Sequence, residues 1–258
     1  MPMRQRRRVR KRFYVIMAFL AIFLCILLVK IPQGSSVNTL VIPVMKQEDV
    51  VPDPDPEPDP DSGKKLVICL DPGHGGHDVG AESILGYFEK DINLKVGILA
   101  GRLLEKSDYE VIYTRTTDEA KGQNQEEDLK ARCNIANEAY ADIYVSIHCN
   151  FDENSSKSKG VEVWCRFPKQ KVEELAICLD KQLAKVGYTR DRGIKYESEG
   201  GLFVLQNTKA VAAVVELGFL SNAEDSAFLK SDEGQAKCAE AIAKAIEDYI
   251  SKGFHQEE

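Results

Sequence analysis

The stretch Leu66-Val67-Ile68-Cys69-Leu70-Asp71-Pro72-Gly73-His74-Gly75-Gly76-His77-Asp78 decides how this chain is read. Five apolar residues in a row read as a strand buried on both faces. Pro72 and Gly73 stop the strand, and the small residues around His74 leave its imidazole uncrowded. A histidine presented this way at the mouth of a sheet has the form of a metal ligand. The chain has only four histidines, so His74 has few partners to be tested against.

Outward from that stretch, the periodicity alternates between strand and helix. Helical spacing predicts helices over Glu89–Lys106, Glu126–Tyr140, Lys169–Val186, Ala223–Leu229 and Glu233–Ser251. Strands are expected at Leu66–Leu70, Tyr109–Thr114, Ile143–His148, Gly160–Phe167, Leu202–Leu205 and Val211–Leu217. The alternation predicts an α/β fold: a single three-layer domain with a twisted, mostly parallel (mixed) sheet and helices on both faces. In such sheets ligands collect outside the carboxyl ends of the strands. His74, His148 and Glu216 all fall at or just past predicted strand ends. Glu216 lies inside the apolar run Val214-Val215-Glu216-Leu217, where a carboxylate is costly unless it is paired or functional.

The first 63 residues are of another kind. Residues 1–12 carry seven positive charges and no acidic residue, and Phe13 to Val29 is an uncharged apolar run. Seventeen residues at about 1.5 Å each reach roughly 25 Å, enough for a short bilayer crossing. The basic flank predicts a cytoplasmic N-terminus, a transmembrane signal anchor at 13–30 and the remainder outside the cell membrane as a single-pass protein. No Ala-x-Ala-like pattern follows to mark a cleaved signal. Residues 31–63, with proline alternating with acid from Val51 to Asp61, read as an extended linker without a fold. This leaves 64–252 as the globular domain and 253–258 as a tail. The formal charge of −7 hides an acidic exterior domain behind the basic N-terminus, which speaks against nucleic acid as a partner. Most of the seven cysteines lie in apolar runs and none form a Cys-x-x-Cys pair, so neither a disulfide framework nor a thiolate zinc site is expected.

An open zinc site uses three protein ligands and leaves one position for water. His74 and His148 supply two of these; the residues alone do not choose the third among Asp71, Asp78, Glu82 and Glu89. Here the chain resembles a known family. Asp71-Pro72-Gly73-His74-Gly75-Gly76 with Asp78-x-Gly80-Ala81, then Glu89-Lys90-Asp91-Ile92-Asn93-Leu94, Arg115-Thr116-x-Asp118, Leu129-x-x-Arg132 with Ala136-Asn137, Ala141 through Asn150, and Val215 through Asn222 are similar, in order, to the blocks of the zinc-dependent N-acetylmuramoyl-L-alanine amidases of the type-3 fold. The resemblance runs from about residue 65 to 250. It implies a cell-wall hydrolase with one Zn2+ on His74, Glu89 and His148, and with Glu216 as the catalytic acid and base. The implied reaction cuts the amide between N-acetylmuramic acid and L-alanine of peptidoglycan. The expected partners are peptidoglycan, the membrane through residues 13–30, and an unidentified activator protein; the chain is expected to be a monomer with a wall-facing domain.

Other residues receive lesser roles. Asp71 is expected to support a ligand from behind, and Asn150 to position substrate or cap its turn. Arg132 and Asn137 are expected to brace strand–helix packing. His77 is expected to face solvent, and His255 in its polar tail to be inert. Cys149 should point away from His148 by strand alternation. Phe151–Lys159 is too short to hold an inhibitory helix, which predicts an uncovered cleft. Around Gln206–Ala210 the chain departs from the family's more usual basic residue and proline. Two rival functions follow from the same residues: a zinc peptidase or amidase on other wall peptides, and a non-catalytic wall-binding protein.

Overall fold

A computed structural model describes residues 65–166, 170–197 and 201–253. The basic segment 1–12, the span 13–30, the linker 31–63 and the tail from residue 254, with His255, lie outside the described residues. Among the described residues, no helix is long and apolar enough to cross a membrane.

Six strands form one sheet: β1 (Val67–Pro72), β2 (Glu110–Tyr113), β3 (Ile143–Asn150), β4 (Val161–Arg166), β5 (Asp191–Glu197) and β6 (Val211–Phe219). Their order is β2-β1-β3-β6-β4-β5. All neighbours are parallel except β4 and β6, so the sheet is mixed. The chain moves outward from β1 to β2 and then returns to the other side of β1 with β3. That reversal opens a crevice at the carboxyl ends of β1 and β3. The antiparallel run of β4 brings its first residues to the same edge.

The helices are α1 (Glu89–Lys106), α2 (Gln125–Glu138), α3 (Gln170–Val186), α4 (Phe203–Asn207), α5 (Ala223–Lys230) and α6 (Asp232–Ser251). They divide between the two faces of the sheet. Ile68, Leu70, Val145, Ile147, Val163, Val215 and Leu217 pack against Val96 and Leu104 of α1, Leu175 and Leu179 of α3, and Ile242 and Ile246 of α6. This is the larger core. The alternate strand positions Val67, Cys69, Tyr144, Ala212 and Val214 meet Cys133 and Ala136 of α2 and Val204 and Leu205 of α4. The second core ends short of the carboxyl ends of β1, β3 and β6, where the same alternation places Asp71, Ser146, His148 and Glu216. All six described cysteines are buried and unpaired, as small apolar side chains commonly are.

Two elements differ from expectation. Leu202–Leu205 forms no strand: Phe203–Asn207 is the short helix α4, whose Val204 and Leu205 are apolar because they cover the second sheet face. Asp191–Glu197 forms the edge strand β5, in a polar segment that is mostly half-exposed. Strands β3 and β6 also run beyond the predicted ends, so His148 and Glu216 lie inside them rather than at their termini.

Candidate metal centre and active site

Three segments converge on the crevice. The turn after β1 carries His74, the first residue of α1 is Glu89, and the end of β3 carries His148. His74 Nε2 lies 3.2 Å from Glu89 Oε1, and His148 Nδ1 lies 3.0 Å from the same oxygen. The imidazole rings stand nearly perpendicular with centroids 4.8 Å apart. One donor atom from each residue falls within a mutual 4.8 Å, a group that could hold a metal ion. Two nitrogens and a carboxylate oxygen are a donor set that suits a first-row divalent ion.

The surroundings are shaped to that group. A Cβ on Gly73 would lie 2.1 Å from His148 Cε1, inside the ring. A Cβ on Gly80 would lie 2.6 Å from Glu89 Oε2 and 2.7 Å from His74 Cδ2. Both glycines therefore leave volume that the candidate ligands themselves occupy. Glu89 is buried, yet its carboxylate is fully oriented: the amides of Ala81 and Cys149 donate to it at 2.9 and 3.0 Å, and Asn93 Nδ2 at 3.2 Å. The start of α1 uses no side-chain cap, because Glu89 and Lys90 donate instead to the carbonyls of Ala81 and Val79. This backbone pairing places Glu89 beside the His74 turn.

His74 has φ 62°, in the left-handed region that a β-carbon disfavours by about 1–2 kcal/mol. The turn is held there by cations from three elements. Arg115 donates to the carbonyls of Pro72 and Gly73, both at 2.9 Å, and to that of Lys90 at 2.8 Å. Arg132 donates to the carbonyls of Pro72 and His74. Lys90 Nζ reaches the carbonyl of Gly76 at 2.9 Å and Asp118 at 2.7 Å, while Asp118 accepts the Gly76 amide at 2.7 Å.

The electrostatics favour positive charge at the centre. Burial by itself would raise the pKa of Glu89, but hydrogen bonds and charge from His148 and His74 hold it well below the ordinary 4.5. Burial would lower His74, yet Glu89 and Asp78 override it and bring the ring up to about 9. Glu216 is the neighbour of His148 on the adjacent strand. Burial, then the negative charges of Glu89 and Glu162, push it well above the carboxylate range, with His74 opposing. Its Oε2 is shielded from solvent and accepts no hydrogen bond among the described residues. A carboxyl group left without a partner beside a cation site has the proton affinity and the free oxygen for proton transfer.

A cleft of about 210 Å³ opens here, lined by His74, Asp78, His148 and Glu216 on its polar side and by Leu129, Leu202, Phe203 and Val214 on its apolar side. Residues 151–159 form a short loop without a helix. None of them lines this cleft.

The remaining expected residues fall in different places. Asp71 touches none of the three candidate ligands. It is fully buried and accepts hydrogen bonds from Thr114, Arg132, Tyr144 and Ser146. Burial would raise its pKa, but Arg132 and the three hydroxyls bring it far below the usual range. Its influence on His74 passes through Arg132, which is gripped in addition by Asp128. The residue that orients the His74 ring is Asp78, whose Oδ2 meets Nδ1 at 2.8 Å. The i, i+4 spacing within one turn is the sequence signal for it. Asn150 donates to Glu162 at 2.9 Å and accepts the Phe151 amide at 2.9 Å, which makes it a turn cap. Asn137 ties α2 to the loop before β6 through Asn207 and Lys209. His77 is exposed, and Cys149 points into the larger core.

Known proteins share this arrangement of sheet and turn. The family model described as Amidase_3, N-acetylmuramoyl-L-alanine amidase, matches residues 68–248. The chain is 35% identical over 205 residues to the probable cell wall amidase LytH of Staphylococcus aureus, covering 79% of this chain and 64% of LytH. Among solved structures, an N-acetylmuramoyl-L-alanine amidase from Clostridium difficile 630 superposes with a TM-score of 0.68 at 30% identity, over 74% of this chain and all of that one. The CwlD amidase of Clostridioides difficile, solved in complex with the GerS lipoprotein, superposes with a TM-score of 0.68 at 33% identity, over 73% of this chain and all of CwlD. The match takes in every segment that builds the crevice, from β1 to α6, and with it this chain belongs to the N-acetylmuramoyl-L-alanine amidase family, enzymes of the cell wall.

Proposed function

We propose that this chain hydrolyses the amide between the lactyl group of N-acetylmuramic acid and L-alanine in peptidoglycan, with one zinc ion on His74, Glu89 and His148. The convergence of those three donors within 4.8 Å, next to a carboxyl group with a shielded and unpartnered oxygen, carries the reading. When bound, zinc supplies the Lewis acidity that makes water nucleophilic near neutral pH and polarises a carbonyl. The chain's own residues do the rest. Asp78 fixes the His74 ring so that Nε2 faces the centre. The amides of Ala81 and Cys149 and the side chain of Asn93 hold Glu89 in one orientation. Glu216 takes the proton from the attacking water and delivers it to the alanine nitrogen as the C–N bond breaks. Its raised proton affinity suits the second of these steps, and the apolar wall of the cleft limits access of other water.

The proposal includes the location. The span at 13–30 anchors the chain in the cell membrane, residues 31–63 tether it, and the domain faces the wall as a monomer. The presence of a lipoprotein on CwlD supports an accessory protein for this chain as well.

Digestion of purified peptidoglycan by the full chain, with products identified by mass spectrometry, tests the reading. Peptides that begin in L-alanine are expected, lost on chelation, restored by zinc and absent with Glu216→Ala. Cleavage between amino acids, or full activity in that variant, would sink it.

A further inference from the structure

Four ionisable residues stand in a row across four neighbouring strands. His148 of β3 pairs with Glu216 of β6, and Glu216 pairs with Glu162 of β4. The β4–β5 register shifts between Val161, opposite Asp191, and Val163, opposite Ile194, which sets Arg192 of β5 beside Glu162. The first three residues belong to the centre or border it directly. Arg192 is the outermost, and the proposed reaction gives it nothing to do.

Its guanidinium is fixed on two sides. Nε donates to Glu162 Oε2 at 2.6 Å, and Glu162, itself buried, is held further by Asn150 and Trp164 at 2.9 and 3.3 Å. The guanidinium carbon lies over the Phe219 ring, 4.9 Å from its centroid. The arginine side chain is nevertheless 32% exposed. Among the described residues its two terminal nitrogens have no hydrogen-bond partner, since Nε alone makes the contact with Glu162. Asp152, the other acid in its field, is already engaged by Ser158 and by the amide of Asn154. An arginine held through Nε and against an aromatic ring, with its terminal pair left open, is preorganised for a planar anion.

We infer that Arg192 is a substrate-binding residue that receives a carboxylate on the peptide half of the substrate, within the first two residues beyond L-alanine. This rests on the amidase reading. Strand spacing of about 4.8 Å sets its Cα roughly 10 Å from that of Glu216 and roughly 14 Å from that of His148. An arginine side chain spans much of that gap, and a peptide advances about 3.3–3.6 Å per residue, so one or two residues close it. A charge-assisted hydrogen bond of this kind corresponds to about a tenfold preference or more.

The test uses the full chain with zinc and two substrates: a muramoyl tripeptide with its peptide carboxylates free, and the same compound with them amidated. The wild-type protein is expected to favour the free acid about tenfold or more in kcat/KM, with the difference in KM. Arg192→Gln is expected to collapse that preference toward parity, and Arg192→Lys to keep part of it. A wild-type protein that treats both substrates alike overturns the inference and leaves the amidase reading intact, whatever the variants do. The same follows if Arg192→Gln lowers kcat on both substrates and keeps the preference, since Arg192 then acts only through Glu162. If neither substrate releases a peptide headed by L-alanine, the amidase reading itself fails and this inference falls with it.

Discussion

The two faces of the sheet use the same strands to opposite ends. Ile147 and His148 are neighbours in β3, and Val215 and Glu216 are neighbours in β6. Ile147 and Val215 point into the core under α1, α3 and α6, where apolar side chains are sealed from water. His148 and Glu216 point to the face that α2 and α4 leave open at one end. Burial stabilises the first face and positions the second. The polar face adds little stability of its own at the centre: it holds a carboxyl oxygen without a partner and a histidine in the left-handed region. Such local costs persist where the surrounding structure over-determines them, and here the sealed face and the cationic clamps on the turn do so.

The largest effects should separate the faces. Glu216→Gln is expected to lower kcat by a factor of about 10²–10⁴ and to leave the melting temperature unchanged or raised, since it removes an acid whose charged form is disfavoured by desolvation and by Glu89 and Glu162. Ile147→Ala should do the reverse. It is fully buried, and its truncation should cost about 2–5 kcal/mol of stability, while the folded fraction retains its turnover. Peptide-release rates and denaturant titrations on both variants check the division. Equal losses of both quantities in both variants would mean that the faces are not separable.

A second variant probes what stiffens the open face. Arg132 and Asp71 are both buried and joined at 2.8 Å. Arg132→Met leaves Asp71 charged without its cation and frees the His74 carbonyl, while Arg115 keeps its hold on that of Pro72. Breaking such a pair costs about 3–5 kcal/mol, and zinc affinity should fall with it because the turn is released. Calorimetric zinc titration at a temperature where the variant remains folded distinguishes the two effects. Unchanged affinity would show that Arg115 and Lys90 suffice to hold the turn.

Proton binding offers a third comparison, between the centre with and without its metal. In the metal-free protein His74 is raised from 6.5 to about 9. The stability it contributes is therefore complete below about pH 6.5 and is lost as the pH rises through about 9. Glu89 is lowered from 4.5, so its contribution is present above that value and lost on acidification below it. The metal-free protein should melt highest between those limits and decline toward pH 9. Zinc requires the unprotonated ring, so the stabilisation it adds should grow across the same rise. Melting curves recorded with a chelator and with zinc check this. A metal-free curve that stays flat between pH 6.5 and 9 would break the assignment of the proton to His74.

The sheet was legible because a strand buried on both faces must be a continuous apolar run, and β1, β3 and β6 are such runs. The edge strand β5 was not, since Asp191-Arg192-Gly193-Ile194-Lys195-Tyr196-Glu197 is half-exposed and carries the polar mixture of a loop. Leu202–Leu205 misled for the opposite reason: an apolar run too short to show its period reads equally as strand or helix. At the centre, strand ends pointed to His74, His148 and Glu216. Glu89 needed the family resemblance, because an acid at the start of a helix is ordinary. The support of His74 expected from Asp71 comes from Asp78 instead. Both flank His74 in sequence, but Asp71 is the last charged position inside β1 and is drawn into the buried network with Arg132, whereas Asp78 lies beyond the turn and can fold back on the ring. The clamps from Arg115 and Lys90 were not legible, since what they hold is main chain far away in sequence.

The smallest expected effect bears on that last distinction. His77 shares the glycine-rich turn with His74, three residues on, and is the histidine nearest to it in sequence. The fold turns it outward: it is exposed and is no member of the three-donor group. The hydrogen bonds that fix the turn run through the main chain of Pro72, Gly73, His74 and Gly76 and through Asp78, and none uses the His77 side chain. His77→Ala should therefore change stability by no more than about 0.5 kcal/mol and leave zinc stoichiometry and peptide release at the wild-type level. His74→Ala, made alongside it, should lose the metal. Loss of zinc in the His77 variant, measured by elemental analysis of the dialysed protein, would mean that the ligand is chosen by the turn's sequence rather than by the geometry of the crevice.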